Sequence, residues 1–118
     1  MPLARPTQYR LTGPGAFDAV FQAGRRREGR YLQLVFAPAR TAPGRVGYVI
    51  GRKALSRAVD RNRVRRMLRP IVHAARPRLE AYDVILRLKK ACTRAEFDAV
   101  AGEARHLLES LPAPEDST

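Results

Sequence analysis

The chain has 118 residues, 45% of them hydrophobic, which suffices for one folded domain and rules out a disordered basic tail. Lys and Arg number 23 against 11 Asp and Glu, and the net charge of +12 calls for a polyanionic partner. No apolar run reaches membrane-spanning length, no basic helix carries a Trp or Phe face, and the single cysteine, Cys92, excludes a disulfide framework. Cys92 fits a reducing cytosol and reads as a small filler residue. The opening MPLARPTQYR lacks the apolar core of a signal peptide.

Residues 1–12 are basic and contain proline, and they read as extended, with 1–8 as an extended N-terminus. In GPGAFDAVFQAG, Pro14 opens a helix, Gly24 closes it, and Phe17, Val20 and Phe21 share one face. RRREGR (25–30) reads as a charged loop. YLQLVFAPA alternates, with Leu32, Leu34 and Phe36 on one side and Tyr31, Gln33 and Val35 on the other. RVGYVIG (45–51) sets Val46, Tyr48 and Ile50 against Gly47, Val49 and Gly51. Joined by a turn-rich linker with Pro38 and TAPG, the two runs predict an antiparallel pair. DVILRL (83–88) is a third strand. TRAEFDAVAGEARHLLESL predicts a helix opened by a capping box, Thr93 with Glu96. It would bury Phe97, Val100, Ala104, Leu107 or Leu108, and Leu111. PAPEDST (112–118) predicts a disordered tail.

Between the second and third strands lies RNRVRRMLR (61–69), followed at once by Pro70. Helical spacing aligns Val64, Met67, Leu68 and Ile71 in a narrow apolar stripe. Asn62, Arg65, Arg66 and Arg69 fan across the opposite face, with Arg61 and Arg63 on the flanks. Upstream, GRKALSRAV adds Arg52, Lys53 and Arg57, with only Asp60 against them. A helix merely facing water would carry acidic partners at i±4, and this one has almost none. The arginines therefore predict phosphate contacts. Their planar forks suit phosphate oxygens bidentately and also stack on bases, which favours nucleic acid.

RVGYVIGRKALSRAVDRNRVRRMLR resembles the signature of the protein subunit of bacterial ribonuclease P, the RNA–protein enzyme that removes 5′ leaders from precursor tRNA. Arg45, Val46 and Gly47 match its strand, Arg52 and Lys53 its basic pair, Ala58 its connector, and Arg61, Asn62 and Arg63 its central motif. RLTGPGAFDAVFQAG resembles the family's first helix and YDVILRLKK its last core strand, so the likeness covers roughly residues 8–111. Arginine dominates where lysine is more usual. Pro70 stands where the family often has Glu, which predicts a kink. Arg87 takes a commonly aliphatic position, which predicts that its strand face reaches solvent or RNA.

The resemblance implies an α+β fold: a single two-layer domain over residues 1–118, with a four-stranded sheet packed with helices. The order is α-β-β-β-α-β-α, with a left-handed βαβ crossover through the arginine helix. A short additional strand must then lie in REGRY or in the linker before Arg45. The family would use Arg52, Lys53, Arg57, Arg61, Asn62, Arg63, Arg65, Arg66 and Arg69 to dock on the ribonuclease P RNA. That agrees with the physical reading of the helix. The leader of precursor tRNA would enter a cleft of Phe17, Phe21, Tyr31, Gln33, Val35 and Lys89. Phe17 and Phe21 suit core packing as well as base stacking, and Tyr31, on the more polar face, is the better platform. Val35 matches a site where some relatives carry an aromatic.

By the same resemblance the RNA subunit holds the catalytic Mg2+. The sequence offers no catalytic or metal-binding residue of its own: His73 and His106 sit on different helices without an orienting group, and acidic residues are scattered. The expected role is an endoribonuclease subunit in the cytoplasm, with ribonuclease P RNA and precursor tRNA as partners and neither membrane nor DNA. The alternative is a non-enzymatic RNA-binding protein of ribosomal type on the same fold. Strands on both sides of the basic helix argue against a helix-turn-helix regulator.

Overall fold

The computed structural model describes residues 10–40 and 43–112; the stretch expected to be extended, 1–8, and residues 113–118 of the expected tail lie outside them. The elements follow in the order α1 (Pro14–Ala23), β1 (Arg25–Glu28), β2 (Leu32–Pro38), β3 (Val46–Ile50), α2 (Ala58–Ala74), α3 (Arg76–Leu79), β4 (Tyr82–Leu88) and α4 (Phe97–Glu109). The expected order holds, with the short α3 added before β4. No helix among the described residues is long and apolar enough to cross a membrane.

Local chemistry sets where these elements begin and end. Gly13, at φ 90°, adopts a backbone that side chains disfavour, and Pro14 follows at the first helical position. A single 3-10 turn, Arg94–Glu96, precedes α4 and is held by the expected capping box, in which the Thr93 N–H donates to Glu96 Oε1 at 2.8 Å. Pro70 does not end α2, which continues to Ala74. The Arg66 carbonyl loses its helical donor there, but Arg66 and Pro70 are both exposed and water can replace it.

The sheet order is β1-β2-β4-β3, with β2 antiparallel to β1 and β4, and β3 parallel to β4. Two expectations are corrected by this arrangement. RRREGR is not simply a loop, because Arg25–Glu28 pair along β2, from Arg25 opposite Phe36 to Glu28 opposite Gln33. Two of its guanidinium groups, those of Arg25 and Arg27, lie over the Phe36 ring of the neighbouring strand. Nor do β2 and β3 pair, since β4 lies between them. Alternation specifies a strand's faces and not its neighbours. Val84, Ile85 and Leu86 are all 0% exposed, and a strand apolar on both faces belongs at the centre.

On one face of the sheet, Leu34, Phe36 and Leu86 share a core with Val64, Leu68 and Ile71 of α2 and with Phe97, Val100 and Ala104 of α4. The apolar stripe expected on α2 is present, with Val72 added and Met67 half-buried. Leu107 and Leu108 are both buried. On the other face, Val35, Ala37 and Ile85 form a smaller core with Leu11 and Val20 beneath α1.

The start of β2 is fixed from a distance. The Glu103 carboxylate on α4 accepts three backbone N–H bonds, from Arg30 at 2.7 Å, Tyr31 at 2.8 Å and Leu32 at 2.7 Å. At Gly29 any side chain would collide with that carboxylate.

Candidate nucleic-acid interface

Two surfaces carry most of the sequence-derived candidates. The first is the outward face of α2, where Asn62, Arg63, Arg66 and Arg69 are exposed and Arg65 is half-buried. Asp60, the helix's acidic residue, is engaged by Arg94 at 2.9 Å, so it does not neutralise the arginines. Among the described residues no carboxylate forms an ion pair with Arg63, Arg65, Arg66 or Arg69. Arg61 differs from them. Its Nη1 donates to the Leu55 and Ser56 carbonyls, each at 2.9 Å, and so closes the connector leading into α2.

The second surface is the sheet face beside α1. Gly47 leaves room there for the Phe17 ring, since a Cβ at that position would stand 2.5 Å from Phe17 Cζ. Phe21 is half-buried, and Arg26 lies 5.8 Å from its ring centroid while donating to its carbonyl at 3.2 Å. A polar row crosses three strands: Gln33 Nε2 donates to Glu28 at 2.7 Å, Arg87 to Gln33 Oε1 at 3.4 Å, and Lys89 Nζ to Glu28 at 2.6 Å. Arg87 is exposed, as its departure from the aliphatic pattern predicts.

Several candidates lie elsewhere than expected. Tyr31 precedes β2 and falls out of its alternation; the residue is only 6% exposed in the α2–α4 core, and its hydroxyl donates to Glu96 at 2.8 Å. It cannot stack a base beside α1. Val35 is on the expected face but fully buried beneath α1, and Gln33 is buried in the polar row. Arg52 and Lys53 line a hollow of about 370 Å³ with Arg87 and Lys89, at the end of the α1 face and not on the arginine face of α2. Arg57 is exposed at the N-cap of α2. Sequence reasoning omitted Arg26 and Arg10. Their side-chain placement follows from strand pairing and from a short parallel bridge between Arg10 and Val46.

A groove of about 550 Å³ joins the two surfaces around the outer edge of β3, lined by Phe17 and Tyr48 and by Arg10, Arg65, Arg69 and His73. Burial pushes the Tyr48 hydroxyl up to about 12 despite nearby Arg69 and Arg76, so at neutral pH it stays a protonated donor.

The sequence matches the model of the family described as Ribonuclease P over residues 6–112. The chain belongs to the ribonuclease P protein family. A ribonuclease P protein component from Acidothermus cellulolyticus is 37% identical over 115 residues, covering 95% of each chain. One from a Synechococcus strain is 42% identical over 90 residues, covering 73% of this chain and 68% of its own. The solved RNase P protein from Thermotoga maritima superposes with a TM-score of 0.69 at 21% identity, covering 87% of this chain and 97% of its own. That from Staphylococcus aureus gives 0.68 at 20%, with 86% and 89% covered. The ribonuclease P family supplies one part of a bacterial tRNA-processing enzyme, and this membership disfavours the ribosomal-type alternative.

Acid should loosen the polar row and the α4 cap. Hydrogen bonds from Gln33 and then Lys89 hold the Glu28 carboxyl below its usual range; those from the Thr93 backbone and the Tyr31 hydroxyl do the same for Glu96. A carboxylate with a depressed folded value stabilises fully above its unfolded value of about 4.3, and that contribution is lost as pH falls through the folded value. The melting temperature of the parent should therefore fall below about pH 4.5 more steeply than that of a Glu28→Gln/Glu96→Gln variant. Parallel melting curves across that range would remove these carboxylates from the account.

Proposed function

We propose that this chain docks on the ribonuclease P RNA through α2 and guides the 5′ leader of precursor tRNA along the sheet face beside α1. The observation that carries the docking reading is the uncompensated arginine face of α2. Its phosphate contacts would release counterions and fix orientation without reading sequence, which suits an A-form helix recognised by shape and backbone. The leader track would run from Phe17 and Phe21 past Arg87 to Arg52, Lys53 and Lys89, combining stacking platforms with a basic groove.

Catalytic Mg2+ is assigned to the RNA subunit. Among the described residues no three His, Cys, Asp or Glu side chains converge, and Glu28, Glu96, Glu103 and Asp60 are engaged within the protein. The protein's part is to lower RNA–substrate repulsion that would otherwise need added ions. His73 and His106 are both exposed on separate helices, and neither is given a chemical step. We place the activity in the cytoplasm.

Leader release from a precursor tRNA tests this directly. The protein alone should cleave nothing. Added to ribonuclease P RNA at limiting Mg2+, it should raise the rate by about ten-fold or more, with less effect as Mg2+ is increased. A His73→Ala/His106→Ala variant should stimulate equally. Cleavage by the protein alone, or stimulation abolished in a folded, RNA-binding histidine variant, would overturn the assignment.

A further inference from the structure

Neither α2 docking nor the leader track uses most of the arginines between residues 25 and 30. Strand β1 is the outermost strand, at the sheet edge opposite β3 and its groove. Arg25 and Arg27 project to one side, 5.7 and 5.6 Å from the Phe36 ring centroid. Arg30 lies 5.5 Å from the Tyr31 centroid. Rings beneath planar guanidinium groups restrict the long side chains, so less freedom remains to be lost on binding.

The nearby carboxylates are occupied. Glu28 accepts from Lys89 and Gln33, Glu103 from three backbone N–H groups, and Glu96 from Thr93 and Tyr31. Among the described residues no ion pair reaches Arg25, Arg26, Arg27 or Arg30. The edge therefore holds like charges whose repulsion an external anion would relieve. Its chemistry points away from a protein or lipid occupant: the one large exposed hydrophobic among the described residues is Val59, on α2.

We propose that the β1 edge is a second RNA-backbone surface, taking phosphates of a segment distinct from the one that α2 engages. The domain would then bridge two parts of the ribonuclease P RNA from opposite edges of its sheet. This inference rests on the reading of the chain as a subunit docked on that RNA. The competing role for a charged edge is to block strand pairing between copies.

Arg25→Gln with Arg27→Gln separates the two roles, because the shorter polar stems still cover Phe36 while both charges go. Arg26 is left intact because it also ties α1 to β1. Affinity for ribonuclease P RNA would be followed between about 0.05 and 0.2 M salt, with melting and sedimentation alongside. The expected result is a log–log slope flatter by roughly 1.5 and restored by Arg25→Lys with Arg27→Lys. A parental slope in the Gln variant overturns the proposal, with or without self-association. If the Gln variant melts early, a parental slope in exposed Arg25→Ala alone overturns it equally. An Arg63→Ala/Arg66→Ala variant keeps the two readings apart: loss only there leaves α2 docking standing and removes the β1 surface, whereas loss only at β1 does the reverse.

Discussion

Alanine at both Arg63 and Arg66 is expected to take roughly 1.5 units from the slope of log affinity for ribonuclease P RNA against log salt. Each phosphate contact contributes about 0.7–0.9 to that slope, and both side chains are exposed without a carboxylate partner. At physiological salt the loss should exceed about ten-fold, since charge-assisted contacts to phosphate are worth roughly 1.5–3 kcal/mol each before losses. Arg61 would be a poorer choice, because removing it also strips the Leu55 and Ser56 carbonyls of their donor. Filter binding or fluorescence titration at several salt concentrations gives the slope directly. An unchanged slope in a variant that melts normally would mean that α2 faces water.

Glu103→Ala should be the most damaging single change outside the hydrophobic core. Three backbone donors at the start of β2 would lose a charged acceptor, and the bonds from Tyr31 and Leu32 are partly buried, where water replaces it poorly. A net loss of about 3 kcal/mol is expected, or a melting temperature lower by roughly 10–15 °C. Glu103→Gln keeps one carbonyl oxygen as an acceptor and should lose less than half as much. Gly29→Ala should act in the same direction by pushing the carboxylate aside, and the double variant should be less than additive. If Glu103→Ala melts within about 2 °C of the parent, the clamp is not holding the turn.

That clamp also explains which parts of the site were legible in sequence. The α2 stripe and its arginine face follow from helical periodicity because every residue that sets them is local. The Thr93–Glu96 capping box is local too. Alternation extended back from β2 puts Tyr31 on the wrong face. Its break with that pattern is imposed by Glu103, more than seventy residues away, and no window around Tyr31 contains it. Alternation puts Val35 on the right face, but pattern alone cannot tell a floor buried under α1 from an open cleft. The β1 arginines look like loop residues until Phe36 and Phe21 are brought beneath them. The neighbours of β4 depend on the crossover through α2, which hydrophobic alternation does not encode.

The position of β4 also constrains the order in which a growing chain can fold. β1 and β2 can form a hairpin early, but β3 has no sheet partner until residues 82–88 are available, because β4 alone hydrogen-bonds it to the sheet. Closing β2 against β4 joins Leu32 to Leu88 across more than fifty residues, an entropic cost met before the core contacts reward it. During synthesis, α2 therefore emerges with its arginines and its apolar stripe both uncovered, and the stripe is buried only once the last strand and α4 arrive. The sheet cannot be completed before β4 is available, and a chain interrupted before Leu88 would retain the basic helix without the domain that orients it.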